Sequence, residues 1–468
     1  MQKNRHIHFI GICGVAMGSL ALAFKRAGFK VTGSDVGFYP PMSNYLKSEG
    51  IEYYPGWHPD KMTEGSTPDL VVVGNVAGST NPEWLYVQKH HLSYYSYPEI
   101  VAEFFVKEKS IVCAGTYGKT TTSALLSFVL TEAGLNPSYM FGGLTSNDFP
   151  SAKITDSNIS ILEGDEYKSA RWDNGAKFFH YSPTHLLLTA IEWDHADIYP
   201  TIEEYYAAFD KLTYNLPKNS LIVLSDNVKN IKPAESTKTI TYGKTANTTY
   251  QYSDIKQTPR GIELTINYQE NKYQLTSVLL GEHQAENICG VFAMAHNLGV
   301  EPENIIKAIA AFPGLKRRLE KRGEIDTTPI YDDIAHSPAK AASALKSLRA
   351  AYPNAHITAI FEPNTGNRAK ESTPAYDNAF ANADTVIIPR LTNIKTNNEM
   401  AELPLEGNEL TEIISRTHKN TKYISDDAEL VNLIKQKTQP DNVIVFLGSH
   451  GFRGMIEEII SPRQQSPL

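Results

Sequence analysis

Short apolar runs that each give way to a helical stretch recur from one end of this chain to the other. That alternation restricts the fold more than any other feature. Residues 6–12, HIHFIGI, alternate as a strand does, VAMGSLALAFKRAG (15–28) has helical spacing and closes on Gly28, and KVTGSD (30–35) and DLVVVGN (69–75) are further strands. The pattern restarts at Ser110 and continues through a helix from Ser123 to Ala133, ISILEGDE (159–166), THLLLTAIEWDH (184–195) and SLIVLSD (220–226). After Pro313-Gly314 it resumes with PIYDDIA (329–335), a helix from Pro338 to Ala351, HITAIFEP (356–363), TVIIP (385–389) and VIVFLGS (443–449). Strands joined through helices run parallel, because each crossover returns the chain to the same end of the sheet.

One segment breaks the rule. TTYQYSDI, GIELTINY and KYQLTSVLL, within 241–280, read as short antiparallel strands, followed by helices over 285–298 and 302–311. Charged residues at Lys107-Glu108-Lys109 and the Pro313-Gly314 pair mark joins. The expectation is an α/β protein of three domains. Residues 1–107 form a Rossmann-like N-terminal domain. Residues 108–312 form a central P-loop ATPase domain with a parallel sheet plus a small antiparallel sheet. Residues 313–468 form a C-terminal Rossmann-like α/β domain.

Composition excludes several classes. A net charge of −8 argues against a broad nucleic-acid-binding face. No apolar run reaches the ~18 residues of a membrane span, and Gly11 and Gly14 interrupt the N-terminal run too early for a secretory leader. Cys13, Cys113 and Cys289 are spaced for neither a disulfide framework nor a zinc site. The expected setting is a reducing cytoplasm, with no nucleic acid and no membrane as partner.

Chemistry concentrates at the ends of the strands. In GTYGKTTT, Gly115 and Gly118 let the backbone amides turn toward an anion, the next helix adds its positive end, Lys119 can reach phosphates, and Thr120 can place its hydroxyl on Mg2+. A plain glycine turn with a surface lysine is the competing reading, since Cys113 stands where the general G-x-x-x-x-G-K-[ST] pattern has glycine. GICGVAMG sets Gly11, Gly14 and Gly18 between a strand and a helix, with Asp35 placed for a ribose hydroxyl. Glu163, Glu166, Asp194, His195 and Asp197 follow two strands of the central domain and are expected to converge near Lys119, a set suited to Mg2+ beside a triphosphate. Asp332, Asp333 and His336 end a strand of the third domain, and Arg317 and Arg318 sit at its entrance.

On these stretches the chain resembles the Mur ligases, ATP-dependent amide-forming enzymes of peptidoglycan metabolism, in order and over nearly its whole length. HIHFIGICGVAMGSLA resembles their UDP-binding loop, and AGTYGKTTT their T/A-G-T-x-G-K-T-T-[TS], which itself lacks the first glycine. LEGDEYKSA, EWDHADIYP, GEHQAENICG, GLKRRLEKRGE and YDDIAHSP match later signatures. The resemblance implies an ADP-forming carbon–nitrogen ligase that uses ATP and Mg2+ and acts on UDP-N-acetylmuramate. One branch adds L-alanine. Another adds the tripeptide L-Ala-γ-D-Glu-meso-diaminopimelate in recycling, and SDVGFYPPMS, WDHADIY, RRLEKRGE and GSHGFRGM look more like that branch. Alanine addition is the alternative, and a non-catalytic nucleotide-binding regulator or a dinucleotide-dependent oxidoreductase stands further off.

By resemblance, Gly11, Gly14 and Gly18 face the UDP diphosphate and Asp35 lies near the uridine. Gly115, Thr116, Gly118, Lys119, Thr120 and Thr121 hold ATP phosphates, and Thr120, Glu163 and His195 hold Mg2+. His283 and Asn287 contact adenine, Arg317 or Arg318 contacts ATP, and Asp332 or Asp333 holds its ribose. His336 matches the first histidine of D-D-[FY]-[AG]-H-H-P. Tyr117, Arg368 and Arg453 are the expected substrate contacts. Tyr117 stands where both branches usually carry histidine, Ser337 replaces the second histidine, and Phe209 occupies the place where some members carry a carbamylated lysine.

Overall fold

In the computed structural model, which describes residues 5–195, 197–392, 404–436 and 438–461, the apolar runs become the inner strands of three sheets. The first sheet contains β1 (His6–Ile10), β2 (Lys30–Asp35), β3 (Glu52–Pro55), β4 (Leu70–Val73) and β5 (Tyr94–Ser96), in the order β3-β2-β1-β4-β5. All its pairings are parallel. Every residue of β1 is buried, including His6 and His8, because helices cover both faces of such a sheet. The helix Val15–Arg26 packs Phe24 edge-on against Phe29 and Phe104 at 5.2 and 4.9 Å between ring centres.

The central sheet collects β6 (Lys109–Ala114), β7 (Ser138–Met140), β8 (Ala152–Lys153), β9 (Ile159–Gly164), β12 (His185–Leu188), β13 (Leu221–Ser225), β14 (Lys238–Gly243), β15 (Tyr250–Thr258), β16 (Gly261–Tyr268) and β17 (Asn271–Ser277). Its order is β17-β16-β15-β14-β13-β12-β6-β9-β7-β8. The strands expected as a small antiparallel sheet thus extend one edge of this larger one, and β14 meets β15 in parallel. Between β9 and β12 the chain forms a separate hairpin, β10 (Lys168–Ala170) with β11 (Asp173–Ala176). Its tip reaches the first sheet's neighbourhood. Trp172 stacks on Trp84 at 4.9 Å and meets Tyr94 edge-on at 5.2 Å, and Arg171 donates to the Ala77 carbonyl at 3.1 Å.

The third sheet holds β18 (Glu320–Ile325), β19 (Thr328–Asp333), β20 (His356–Glu362), β21 (Thr385–Pro389), β22 (Thr421–Ile424) and β23 (Asn442–Gly448), ordered β18-β19-β23-β20-β21-β22 with only β18 antiparallel. The chain groups into two compact units. The first is Met1–Asp254, Leu264–Thr276 and Ala285–Pro313, and the second is Ile255–Glu263, Ser277–Gln284 and Gly314–Leu468.

One buried polar knot ties the first sheet to the helix Pro82–Lys89. Glu83, fully buried, accepts hydrogen bonds from Ser34 Oγ (2.5 Å), Tyr54 OH (2.6 Å) and the His58 amide (2.8 Å), and the His8 ring stands 3.7 Å away. Burial alone would raise the Glu83 carboxyl, but His8, Ser34 and Tyr54 outweigh it and hold it below its ordinary value of 4.5. A depressed carboxyl contributes stability that is present above the unfolded value and lost as pH falls below it. Glu83→Gln should therefore lower the unfolding midpoint at pH 7 by an equivalent of about 1–3 kcal/mol. The gap to the parent should narrow as pH drops below 4.5, read by thermal unfolding across that range.

Candidate active site

β6 lies between β12 and β9, with Ala114 in register with Leu188 on one side and Gly164 on the other. Three strands therefore deliver their carboxyl ends together, and the loop 115–118 emerges between segments 163–166 and 189–195. Gly115 has φ +136°, and an added Cβ there would meet Thr189 Oγ1 at 2.3 Å and the Ala190 carbonyl at 2.8 Å. Gly118, at φ +83°, caps the helix Lys119–Glu132, and a Cβ there would meet Asn287 Oδ1 at 2.5 Å. Only glycine fits either position. The helix begins at Lys119, four residues earlier than the sequence suggests. Its first closing bond runs from the Thr122 amide to the Gly118 carbonyl (2.8 Å), so the Lys119, Thr120 and Thr121 amides lie in the turn that has no helical acceptor.

The loop is braced from the β12 side. The Thr116 amide donates to the Ala190 carbonyl (2.6 Å), while its hydroxyl bonds Glu192 O at 2.7 Å and Tyr205 OH at 2.8 Å. Tyr117 bridges to Ala190 through the main chain, and its ring is half exposed.

Charge converges on this loop in two clusters rather than the single one expected. In the first, Lys119 Nζ lies 2.8 Å from Glu166 Oε2 and donates to Oε1 at 3.0 Å. His195 Nε2 approaches the same Oε1 at 3.5 Å, and Tyr205 OH donates to it at 3.3 Å. Glu166 is wholly buried. Its carboxylate raises the His195 imidazole above its ordinary value, against the opposing effect of burial. In the second cluster, Glu163 accepts from Thr120 Oγ1 (2.8 Å) and from the Gly142 amide (2.6 Å). Burial pushes the Glu163 carboxyl up, with those two donors and Lys119 working against it. Asp194 accepts from the His195 amide at 2.8 Å, and Asp197 pairs with Tyr167 OH at 3.0 Å.

Mg2+ binds through one or two carboxylates together with substrate phosphates and water. Among the described residues no group of three His, Cys, Asp or Glu forms a cage for a metal. A hydroxyl and a carboxylate side by side at the mouth of a phosphate-type loop, Thr120 and Glu163, fit a cation that arrives on a nucleotide. The glycine cradle, which a Cβ would fill, fits the nucleotide's phosphates.

The first glycine loop is built by similar means. The Gly11 and Ile12 amides donate to the Ser34 carbonyl at 2.8 and 3.1 Å. Asp35 accepts from the Cys13 amide (2.8 Å) and the Val36 amide (2.7 Å), so this carboxylate braces the turn. Gly14 caps the helix Val15–Arg26. Gly18 lies inside that helix where a Cβ would meet Met42 Sδ at 2.3 Å, which makes it a packing position. A cavity of about 230 Å³ joins the two regions, lined by Ala16 and Met17 from the first helix and by Gly142, Glu163, Asp165 and Lys177 from the central domain.

Within the second unit, two expected ligand arginines are turned inward. Arg317, at φ +58°, donates to the carbonyls of Gly448 (2.5 Å), Ser449 (2.9 Å) and His450 (2.8 Å) and meets Asp332 at 3.3 Å. Arg368, only 3% exposed, donates to Leu405 O and Thr392 O at 2.9 Å each and meets Glu406 at 3.3 Å. Asp332 also pairs with Arg322 at 3.0 Å. Asp333 accepts the Leu319 and Ala335 amides at 2.7 and 2.8 Å. Burial lowers His336 and His283, and the nearby Arg318 charge adds to both. Ser337 caps the helix Pro338–Ala351, accepting the Lys340 amide, which gives that departure from the family pattern a local reason. Arg453 grips Asp427 with two bonds of 2.8 and 2.9 Å and reaches Glu362 at 3.4 Å.

Glu166 ties Lys119 to His195, a link no local sequence signal announces. Glu166→Gln should move the His195 imidazole down toward its ordinary value of 6.5, read as a shifted NMR titration of the His195 ring protons. An unmoved titration would show that the pair does not form in solution.

Three family models match the chain in sequence: Mur ligase family, catalytic domain, over residues 6–108; Mur ligase middle domain over 113–295; and Mur ligase, glutamate ligase domain, over 317–450. The UDP-N-acetylmuramate–L-alanyl-γ-D-glutamyl-meso-2,6-diaminoheptandioate ligase of Haemophilus influenzae is 30% identical over 466 residues, covering 97% of this chain and 98% of that one. The UDP-N-acetylmuramate–L-alanine ligase of Pelagibacter ubique is 30% identical over 460 residues, covering 96% of each. A murein peptide ligase from Psychrobacter arcticus superposes with a TM-score of 0.69 at 25% identity, covering 98% of each chain. With matches this continuous, and with the glycine cradle, Lys119 and Glu163 gathered at one sheet edge, the chain belongs to the Mur ligase family.

Proposed function

We propose that the chain forms an amide between the carboxylate of UDP-N-acetylmuramate and the amine of L-Ala-γ-D-Glu-meso-diaminopimelate, splitting ATP to ADP and phosphate, in peptidoglycan recycling in the cytoplasm. One observation carries the reading: a single cavity runs from the helix behind the first glycine loop to Glu163, which bonds Thr120 of the second loop. That is the space a nucleotide sugar needs to present its carboxylate to a terminal phosphate. Among the described residues no helix is long and apolar enough to cross a membrane.

A carboxylate does not condense with an amine in water without activation. The sugar's carboxylate attacks the γ-phosphoryl group, giving an acyl phosphate and ADP. The peptide amine then attacks the acyl carbon and phosphate leaves. Two anions must meet in the first step. Lys119 and the Lys119, Thr120 and Thr121 amides would bind phosphate oxygens, and Thr120 and Glu163 would hold Mg2+, with His195, which stands against Glu166, as the further expected ligand. Mg2+ held there would lower the repulsion between carboxylate and phosphate. Asn287, packed against Gly118, is the adenine contact within the first unit. In the second unit Arg317 meets Asp332 and main-chain carbonyls, and Asp333 accepts main-chain amides, so these three side chains are engaged within that unit.

L-alanine addition is the second reading, supported by the equal identity to the Pelagibacter ubique enzyme. ADP release with UDP-N-acetylmuramate should be fast with the tripeptide and slow with L-alanine, and the reverse order would exchange the two readings. Lys119→Met should cut ligation by about a hundredfold or more. Because Lys119 is largely buried against Glu166, the same change should also cost stability, roughly 2–3 kcal/mol. In the second unit Arg453→Ala should raise the tripeptide KM with little effect on ATP. Arg368→Ala should instead lower the unfolding midpoint, by about 2–4 kcal/mol, because its guanidinium holds main-chain carbonyls.

A further inference from the structure

The cavity between the two loops is lined by carboxylates on its central side, Glu163 and Asp165, and by one cation, Lys177. An incoming carboxylate must enter this acidic space. If Mg2+ offsets Glu163, the charge of Asp165 still has to be balanced. Lys177 does that here. It is ion-paired with Asp165, its side chain is 13% exposed, and its ammonium lies 5.4 Å from the centre of the Tyr167 ring.

Lys177 is also held from below. Its amide donates to the Tyr167 carbonyl (3.2 Å), and the Phe178 amide donates to the Asp165 carbonyl (3.2 Å). It begins the short 3-10 helix Lys177–Tyr181, in which Phe178 and Tyr181 are fully buried, and Phe178 packs on Phe209 at 5.5 Å. The backbone that carries Lys177 is therefore fixed. Lys177 lines the same cavity as Glu163, which bonds Thr120 of the second glycine loop, so it belongs to the reacting end of the cavity rather than to the diphosphate end. Asp165 is 32% exposed and can be rehydrated if its partner leaves.

We infer that Lys177 is a substrate-binding residue that receives the reacting carboxylate of the nucleotide sugar, exchanging Asp165 for it. This rests on the function proposed above. The sugar's carboxylate replaces one charge-assisted pair with another at little net cost. The pocket selects nucleotide sugars that carry a carboxylate over those that do not.

Calorimetric binding of UDP-N-acetylmuramate and of UDP-N-acetylglucosamine, which lacks the lactyl carboxylate, tests this. The parent should prefer the muramate. Lys177→Met should weaken muramate binding by about tenfold or more and leave the glucosamine affinity unchanged, erasing the preference. Lys177→Arg should keep part of it. In turnover, the KM for UDP-N-acetylmuramate should rise with the KM for ATP unmoved. Should Lys177→Met unfold because Asp165 is left unpaired, Lys177→Met combined with Asp165→Asn restores neutrality and is read the same way. An unchanged preference in a folded variant of an active parent overturns the role of Lys177 alone. A parent that binds neither nucleotide sugar overturns the proposed function and this role with it.

Discussion

Parallel strands release their following loops at one edge, and the arrangement of this protein depends on that constraint. β6, β9 and β12 are neighbours in register, so segments separated by dozens of residues arrive side by side with no long reach required of any side chain. Lys119 meets Glu166 across 47 positions, and Thr120 meets Glu163 across 43. The backbone supplies the glycine cradle, and the flanking strands supply the charges beside it. The first sheet repeats the device with Gly11, Gly14 and Asp35, and the cavity joins the two edges.

The strands were readable because burial on both faces leaves an uninterrupted apolar run, as in DLVVVGN and VIVFLGS. The glycine loops were readable because positive φ and close approach admit one residue type, as Gly115 and Gly118 show. The start of the helix at Lys119 was not, since three consecutive threonines look like poor helix formers until the preceding glycine is known to be its cap. A short strand and helix at 94–105 escaped notice although Ser96 and Glu99 form a capping box, a signal the sequence does carry.

Partnerships across long separations were beyond the reach of local pattern. Glu166 stood among five acidic and histidine candidates, and nothing in LEGDE distinguishes it from Glu163. Only the fold assigns one to Lys119 and the other to Thr120. Glu83 reads as an acidic residue in a helix's first turn, yet it is the buried acceptor for three donors. Arg317 and Arg368 illustrate the opposite error. A basic residue near a strand end suggests an anion site, but main-chain carbonyls take these two guanidinium groups.

The hairpin β10–β11 has an optical consequence. The chain contains four tryptophans, and Trp84 and Trp172 lie nearly parallel, 19° apart and 4.9 Å between centres, one beside the first sheet and one on the hairpin tip. Indoles at that distance couple their electronic transitions and quench each other's emission. The seam between the hairpin and the first sheet thus carries its own chromophore pair. Its near-ultraviolet dichroism and fluorescence report on the integrity of that seam without any added label.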